Sequence, residues 1–272
     1  WPAWPEPGRE LNRLAFDHCF HCAVAEGVVY FGSSATGKVH ALELATGAER
    51  WGFFTGGPVR FAPAVADGRV YVASDDGYLY CLSAADGAQL WRFRAGPRDE
   101  MIMGHDRLIA RWPLRSGCAV VGDTVYTVGG IFPSEGVYVY ALSTEDGSIR
   151  WCNDTSGTIY MNQPRPGSQA MTGVAPQGPL MVHAGRLFVP TGRNVPAAYD
   201  LETGELTYYH GAPKNWNDRW GGVWSMGVDG LYMIPKAHVG PDIEARYGES
   251  DPWPKDGSTL MNCADGTAAQ FI

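Results

Sequence analysis

The sequence is poor in lysine and contains no long hydrophobic run. No stretch reaches the roughly 20 apolar residues that a membrane-spanning helix needs, no segment keeps a helical hydrophobic period, and no secretory signal pattern is present. The 21 Lys and Arg residues are outnumbered by 29 Asp and Glu, so the formal net charge is −8. This acidity argues against nucleic acid or an anionic membrane surface as the main partner.

The motifs of common catalytic sites are also missing. The sequence has no nucleophile elbow, no phosphate-binding loop and no zinc-protease helix motif. It is instead rich in turn-forming and aromatic residues, with 35 Gly, 19 Pro and 12% aromatic residues. This composition is typical of an all-β repeat protein.

One short pattern recurs along the chain. The segments 41–51, 81–91 and 141–151 end on Trp51, Trp91 and Trp151, and a Thr-Gly or Asp-Gly pair precedes each tryptophan. A fourth copy, 198–208, keeps Thr-Gly but ends on Tyr208, and a degraded fifth copy spans 260–267. Glycine after a short polar residue predicts a tight hairpin, because glycine adopts positive φ without steric cost.

A second hairpin precedes each copy, since segments 23–31, 64–73, 119–126 and 181–189 alternate apolar and polar residues around a turn. The repeated unit is therefore four antiparallel strands, A to D. Such sheets bury both faces only by stacking around an axis. The predicted fold is an all-β propeller of four-stranded antiparallel blades, with a tryptophan packed between neighbours and units at about 17–55, 56–95, 112–154 and 178–210, plus a partial unit at 221–272.

The repeated pattern resembles the repeat of pyrroloquinoline-quinone (PQQ)-like propellers over residues 20–209. The runs 54–63 and 74–83 are similar to those of uncharacterised bacterial PQQ-binding-like propellers. The resemblance implies a seven- or eight-bladed ring of which this chain is a part, and the alternative is a five-bladed ring closed by residues 11–16. The superfamily includes PQQ-dependent alcohol dehydrogenases, a propeller lipoprotein of outer-membrane barrel assembly and sensor domains of kinases.

The same resemblance names PQQ with calcium as the candidate cofactors. Its dehydrogenases carry a disulfide between adjacent cysteines above the quinone, and Glu, Asn and Asp bind the calcium. This chain has no adjacent pair among Cys19, Cys22, Cys81, Cys118, Cys152 and Cys263. That difference argues against PQQ. Six cysteines permit three disulfides, whose connectivity sequence does not give.

Strand order predicts where a binding site lies. In an A–B–C–D meander the A–B and C–D turns share one end, and the insertions 96–115, 155–179, 209–222 and 235–257 all fall at the other. Long loops on one side of a rigid scaffold are typical of binding sites. Arginine recognises carboxylates and indole stacks on planar rings or sugars. The predicted ligand contacts are Arg107, Arg111, Trp112, Arg115, Asn162, Gln163, Arg165, Arg193, Asn194, Trp216, Arg219 and Trp220. The carboxylates to test as catalytic bases are Asp75, Asp76 and Asp218.

A separate cluster lies at His18, Cys19, His21 and Cys22. Ala23 follows it, which excludes haem attachment. Three interpretations are open: structural thiols or a disulfide, a zinc or copper site, and a redox pair. Alignment of the A strands places Cys22 opposite Pro63, Cys118 and Leu180 and predicts a partly buried position for it.

These observations predict an extracytoplasmic module, periplasmic or secreted, that binds a ligand or a protein through its long loops. Its partner is expected to be a protein, a small planar or acidic ligand, or a glycan. One alternative is a PQQ- and calcium-dependent dehydrogenase that oxidises an alcohol or a sugar. The other is the sensor ectodomain of a receptor.

Overall fold

The structure is a computed structural model. It describes residues 21–104, 107–162, 169–191, 195–209, 226–228, 231–235, 258–264 and 268–271. These residues form β-strands and one short 3₁₀ helix, Pro133–Glu135, with no α-helix among them. No helix in these ranges is long and apolar enough to cross a membrane.

Five four-stranded sheets follow one another along the chain, and in each the strands lie side by side in chain order and run antiparallel. Sheet 1 contains β1 (Ala23–Ala25), β2 (Val28–Gly32), β3 (Lys38–Glu43) and β4 (Glu49–Phe54). Sheet 2 contains β5 (Ala64–Ala66), β6 (Arg69–Ala73), β7 (Tyr78–Ser83) and β8 (Gln89–Arg94). A two-stranded ribbon, ribbon 1, follows as β9 (Met101–Gly104) and β10 (Arg107–Ala110).

Sheet 3 contains β11 (Cys118–Val121), β12 (Thr124–Gly129), β13 (Tyr138–Ser143) and β14 (Ile149–Asn153), and ribbon 2 follows as β15 (Ile159–Asn162) and β16 (Gln169–Thr172). Sheet 4 contains β17 (Met181–His183), β18 (Arg186–Val189), β19 (Ala197–Asp200) and β20 (Leu206–Tyr208). Sheet 5 contains β21 (Met226–Val228), β22 (Leu231–Pro235), β23 (Ser258–Asn262) and β24 (Ala268–Phe271).

The first strands of consecutive sheets, β1, β5, β11, β17 and β21, contact one another in that order. The sheets therefore stack side by side with strand A innermost, which is the arrangement of propeller blades. Buried aliphatic and aromatic residues fill the space between them; Val39 and Ala41 of sheet 1, for example, belong to the same cluster as Val70 and Leu82 of sheet 2. Each fully buried aliphatic side chain of this kind contributes about 1.5–3 kcal/mol. The predicted propeller fold is confirmed.

The turns follow from their residues. The A–B turn of sheet 2 has positive φ at both Asp67 (49°) and Gly68 (69°), as a type I′ hairpin turn requires. In the C–D turn the Gly87 N–H donates to the Ser83 carbonyl oxygen at 2.9 Å, and the strand register skips between Cys81 and Leu82. A skip at the equivalent place occurs in all five sheets. The recurring sequence thus encodes a recurring β-bulge.

The repeated tryptophans join each sheet to the next. The indole N–H groups of Trp51, Trp91 and Trp151 donate to the backbone oxygens of Ala84, Thr144 and Leu201 at 3.0, 3.1 and 3.1 Å. These oxygens belong to the C–D turns of the following sheets. A methyl group added to Gly87 would lie 2.7 Å from the Trp51 ring, so the turn glycine leaves room for the indole. The predicted packing between blades is present.

Sheet 5 differs from its prediction as a partial unit, because it forms all four strands. Its β23 and β24 pair Leu260 with Gln270 and then skip before Met261, as Ala41 pairs with Trp51 before the skip in sheet 1. Gln270 thus takes the tryptophan position. The bulge geometry does not depend on the indole.

Candidate functional site

The end of the sheets that carries the B–C turns and the D–A connections is here called the loop face. Both ribbons belong to D–A connections, ribbon 1 between sheets 2 and 3 and ribbon 2 between sheets 3 and 4. The Ala110 N–H of ribbon 1 donates to the Asp75 carbonyl oxygen in the B–C turn of sheet 2 at 2.8 Å. The insertions were predicted as irregular loops, and in two of them the structure shows ordered β-ribbons instead.

Each ribbon exposes an apolar pair of side chains on facing strands. Met103 lies opposite Leu108 in ribbon 1, and Tyr160 lies opposite Met171 in ribbon 2. All four side chains are exposed, Met103 to 71%. Ile109, by contrast, turns inward and is buried. The ribbons therefore present adaptable apolar groups away from the sheets, and methionine-rich surfaces of this kind suit protein contacts.

Two arginines hold one buried carboxylate on this face. Asp75 is 1% exposed. Arg60 donates through Nε to Asp75 Oδ2 at 2.7 Å. Arg115 donates to the same oxygen through Nε at 3.2 Å and Nη2 at 3.1 Å. Asp75 is thus already engaged by two cations, which disfavours it as a catalytic base.

Asp76, the second proposed base, organises its own turn. Its Oδ2 accepts hydrogen bonds from the Gly56 N–H at 2.6 Å and the Tyr80 hydroxyl at 2.7 Å, and its Oδ1 accepts from the Tyr78 N–H at 3.0 Å. Burial raises the pKa of Tyr80, and the Asp76 charge adds to the rise. Three donors on a buried carboxylate indicate a structural role.

Arg111 and Trp112 hold the long connection against sheet 3. Arg111 donates to the carboxylates of Glu100, at 2.7 Å, and Glu135, and these hydrogen bonds, that to Glu135 first, raise the pKa of Arg111. Trp112 is 3% exposed, and its indole N–H donates to the Glu135 carbonyl oxygen at 2.7 Å. Its ring packs edge-on to Tyr138. Trp112 was proposed to stack on a ligand, but it is buried within the protein.

Arg107 joins ribbon 1 to sheet 1. Its Nη1 donates to the carbonyl oxygens of Ser34, at 3.0 Å, and Ala35, at 2.6 Å. Both acceptors lie in the B–C turn of sheet 1, so this arginine fixes the position of the ribbon across two sheets. Of the arginines proposed as ligand contacts, Arg115 shares the Asp75 carboxylate with Arg60, and Arg111 shares the Glu100 carboxylate with Arg98.

Sequence reasoning missed Arg60. The sequence does contain a signal for it, because Arg60 and Arg115 lie equally far before the A–B turns that begin at Asp67 and Gly122. They therefore occupy equivalent positions in successive repeats. Other predicted residues lie outside the described ranges: Asp218, Gln163, Arg165, Arg193, Asn194, Trp216, Arg219 and Trp220. Asn162 ends β15, where the structure describes the backbone alone.

The proposed metal cluster is described only in part, since His18 and Cys19 lie outside the described residues. His21 is half-buried, its ring stacks on Phe61 with centroids 6.0 Å apart, and burial lowers its pKa. Cys22 is an exposed free thiol, so the expected partly buried position was wrong. The described residues contain no group of three or more metal-binding side chains. A metal at this cluster stays a prediction.

The described residues do not fit PQQ with calcium. No three His, Cys, Asp or Glu side chains lie together among them, and their five cysteines, Cys22, Cys81, Cys118, Cys152 and Cys263, are separate free thiols rather than an adjacent pair. Trp112 is the tryptophan on the described part of the loop face, and it offers no open ring surface. No chemical step through the quinone is derived from this arrangement.

The five sheets define a β-propeller of four-stranded antiparallel blades. A family model described as outer membrane protein assembly factor BamB (PQQ_2) matches residues 3–111 and 76–225. These matches cover most of the chain, which therefore belongs to this family of PQQ-like propellers.

Two curated relatives match shorter segments. BamB of Escherichia coli K12, an outer membrane protein assembly factor, is 34% identical over 95 residues, which are 35% of this chain and 22% of that protein. The serine/threonine-protein kinase AfsK of Streptomyces coelicolor is 48% identical over 69 residues, which are 25% of this chain and 8% of that protein. The chain thus matches well under two thirds of either relative.

Solved structures agree on the fold. BamB from Moraxella catarrhalis superposes with a TM-score of 0.57 at 15% identity, over 90% of this chain and 61% of that one. The quinohemoprotein alcohol dehydrogenase of Comamonas testosteroni gives 0.59 at 15% identity, over 92% of this chain and 42% of that one. At this identity the likeness shows a shared propeller fold and carries no information about activity.

Proposed function

We propose that this chain is a non-catalytic, extracytoplasmic part of a PQQ-like propeller that binds a protein partner through its loop face. The observation that carries the proposal is the pair of ordered ribbons, which raise Met103, Leu108, Tyr160 and Met171 into solvent on one side of the sheets. The opposite end carries the short A–B and C–D turns. Exposed apolar side chains on one face of a rigid scaffold favour a protein interface.

The family supports the partner class and the compartment. The matching model and the E. coli relative are described as an outer membrane protein assembly factor, and a factor that assembles other proteins must contact proteins. Low lysine content is consistent with a protein outside the cytoplasm. The described acids support the absence of catalysis, because Asp75 and Asp76 are buried and bonded within the protein.

Site-specific photo-crosslinking in the source cells tests the proposal. A photoreactive phenylalanine analogue replaces Met103 or Tyr160 on the loop face, and Leu44 in a C–D turn serves as the control because it is equally apolar and exposed. The expected result is one and the same protein crosslinked from Met103 and Tyr160, and none from Leu44. Crosslinks from Leu44 alone, or unrelated proteins from the two ribbons, would contradict the proposal.

A further inference from the structure

Two clusters of arginine and carboxylate lie on the loop face, and they differ in net charge. The first joins Arg98 and Arg111 to Glu100 and Glu135. Two positive and two negative charges give a net charge of zero. Arg111 uses Nε, Nη1 and Nη2 on these carboxylates. The charges of this cluster therefore compensate one another, and its ion pairs hold the D–A connection in place.

The second cluster has one carboxylate for two arginines. Arg60 and Arg115 both contact Asp75, so the cluster carries a net charge of +1 within a chain of net charge −8. Because both arginines reach the same Oδ2 atom, their guanidinium groups lie side by side and repel one another. A second anion at this place would offset that repulsion.

The cluster also has donors to spare. Arg60 uses Nε alone, and Arg115 uses Nε and Nη2. Among the described residues no acceptor meets Arg60 Nη1 or Nη2, or Arg115 Nη1. The two side chains are 26% and 18% exposed, while Asp75 beneath them is buried. The unused N–H groups are therefore the part of the cluster that solvent or a partner can reach.

We propose that Arg60 and Arg115 together bind a carboxylate of the partner, supplied by an aspartate or glutamate side chain in an acidic segment. This inference rests on the proposed function and adds the chemistry of recognition to it. Guanidinium groups present planar forks that match a carboxylate with two hydrogen bonds. Asp75 holds both forks in place before the partner arrives, which reduces the entropy lost on binding.

A fluorescent, N-acetylated and C-amidated tetraglutamate peptide is the probe, and anisotropy at low ionic strength measures its affinity. Arg60→Gln and Arg115→Gln are each expected to weaken binding at least about tenfold, as loss of a charge-assisted hydrogen bond predicts. Arg98→Gln is the matched control, because it removes one loop-face charge from the neutral cluster. Its expected effect is less than twofold.

Asp75→Asn provides a test with the opposite sign. It removes the compensating negative charge, while the asparagine amide oxygen can still accept hydrogen bonds from the arginines and hold them in place. The peptide is therefore expected to bind several-fold more tightly although the melting temperature falls. A purely structural triad predicts weaker or unchanged binding instead. Circular dichroism and melting curves confirm that each variant is folded.

Three results would overturn the inference. The first is equal weakening by Arg98→Gln and by the two cluster variants, which would show a general electrostatic field. The second is unchanged binding in folded Arg60→Gln and Arg115→Gln, and the third is displacement of the peptide by equimolar inorganic phosphate. The Met103 crosslink distinguishes failure of this inference from failure of the proposed function. If Met103 crosslinks a partner in the wild type but the peptide test fails, the proposed function stands and the carboxylate site does not.

Discussion

The contact between a tryptophan and the turn glycine of the next sheet allows a sharp test of how the blades are joined. Trp51 lies over Gly87, where a Cβ atom would meet the ring at 2.7 Å. Gly47 occupies the equivalent turn of sheet 1 with nearly the same φ, 71° against 74°, and has nothing within 4 Å of that position. The two glycines therefore have the same backbone conformation, and only Gly87 contacts an indole ring.

The free energies of unfolding of the Gly47→Ala and Gly87→Ala variants should therefore differ only by the contact with the indole. Gly47→Ala is expected to cost about 1–2 kcal/mol, the steric cost of positive φ for a residue with a Cβ. Gly87→Ala carries the same cost and a further ~1–3 kcal/mol for crowding a packed side chain. Trp51→Ala is expected to cost about 3–5 kcal/mol because it opens a cavity and leaves the Ala84 carbonyl oxygen without its indole donor.

The decisive variant combines Gly87→Ala with Trp51→Ala. Without the indole, Gly87→Ala should cost no more than Gly47→Ala, which gives a coupling energy of about 1–3 kcal/mol between the two sites. Equilibrium unfolding in urea, followed by far-UV circular dichroism, measures all five proteins, and unchanged m-values keep them comparable. Additive costs, or equal costs at Gly47 and Gly87 in the wild type, would refute the packing argument.

Four further predictions concern a buried carboxylate, a buried thiol, acid stability and the cofactor. Asp76→Asn should destabilise the fold by about 1–3 kcal/mol in urea unfolding, because the Tyr80 hydroxyl and the Gly56 N–H lose their charged acceptor; unchanged stability would contradict the structural role of this carboxylate. Burial raises the pKa of the Cys81 thiol, which is 0% exposed, so a disulfide reagent at pH 8 should modify the exposed Cys22 quickly and Cys81 only on unfolding. Hydrogen bonds, that of Ser148 first, lower the pKa of Asp146, so its stabilisation is present above the ordinary carboxyl pKa and lost as the pH falls through the lowered value; Asp146→Asn should flatten the acid side of the melting-temperature profile. Added PQQ and calcium should give neither saturable binding nor dye reduction with alcohols or sugars, and substrate-dependent turnover would refute the non-catalytic proposal.

The sheets were predictable because their signals are local. An Asp-Gly pair between alternating residues specifies its hairpin within a few positions, and the structure shows the positive φ at Gly68 and Gly87 that this pattern implies. The tryptophan was predictable for a related reason, since a large apolar residue at one place per unit must pack against the neighbouring unit. Sheet 5 shows the limit, because it forms with Gln270 at that place.

The candidate site was less predictable because its contacts join residues far apart in sequence. From the sequence, Trp112 is expected to be an exposed ring in a loop that stacks on a ligand. In the structure it is buried, and its indole N–H donates to the Glu135 carbonyl oxygen in the B–C turn of the next sheet. Asp75 was predicted as a free carboxylate, but in the structure Arg60 and Arg115 both form ion pairs with it. Composition predicted the chemistry of the loop face, and tertiary structure shows which of the described groups are already bonded within the protein.

Backbone hydrogen bonds also join the connections of the loop face. The Asp75 N–H donates to the Pro58 carbonyl oxygen at 2.9 Å, and one unit later the Gly130 N–H donates to the Pro113 carbonyl oxygen at 3.1 Å. Main-chain groups thus hold these connections together with the side-chain contacts of Arg107, Arg111 and Trp112. Arg60 and Arg115 occupy equivalent positions in two successive connections, and Gln177 occupies the next. Arginine thus stands at this position in two of the three connections, and the third shows that sheet 4 forms with glutamine there, so the strand order of the repeat does not require the arginine pair.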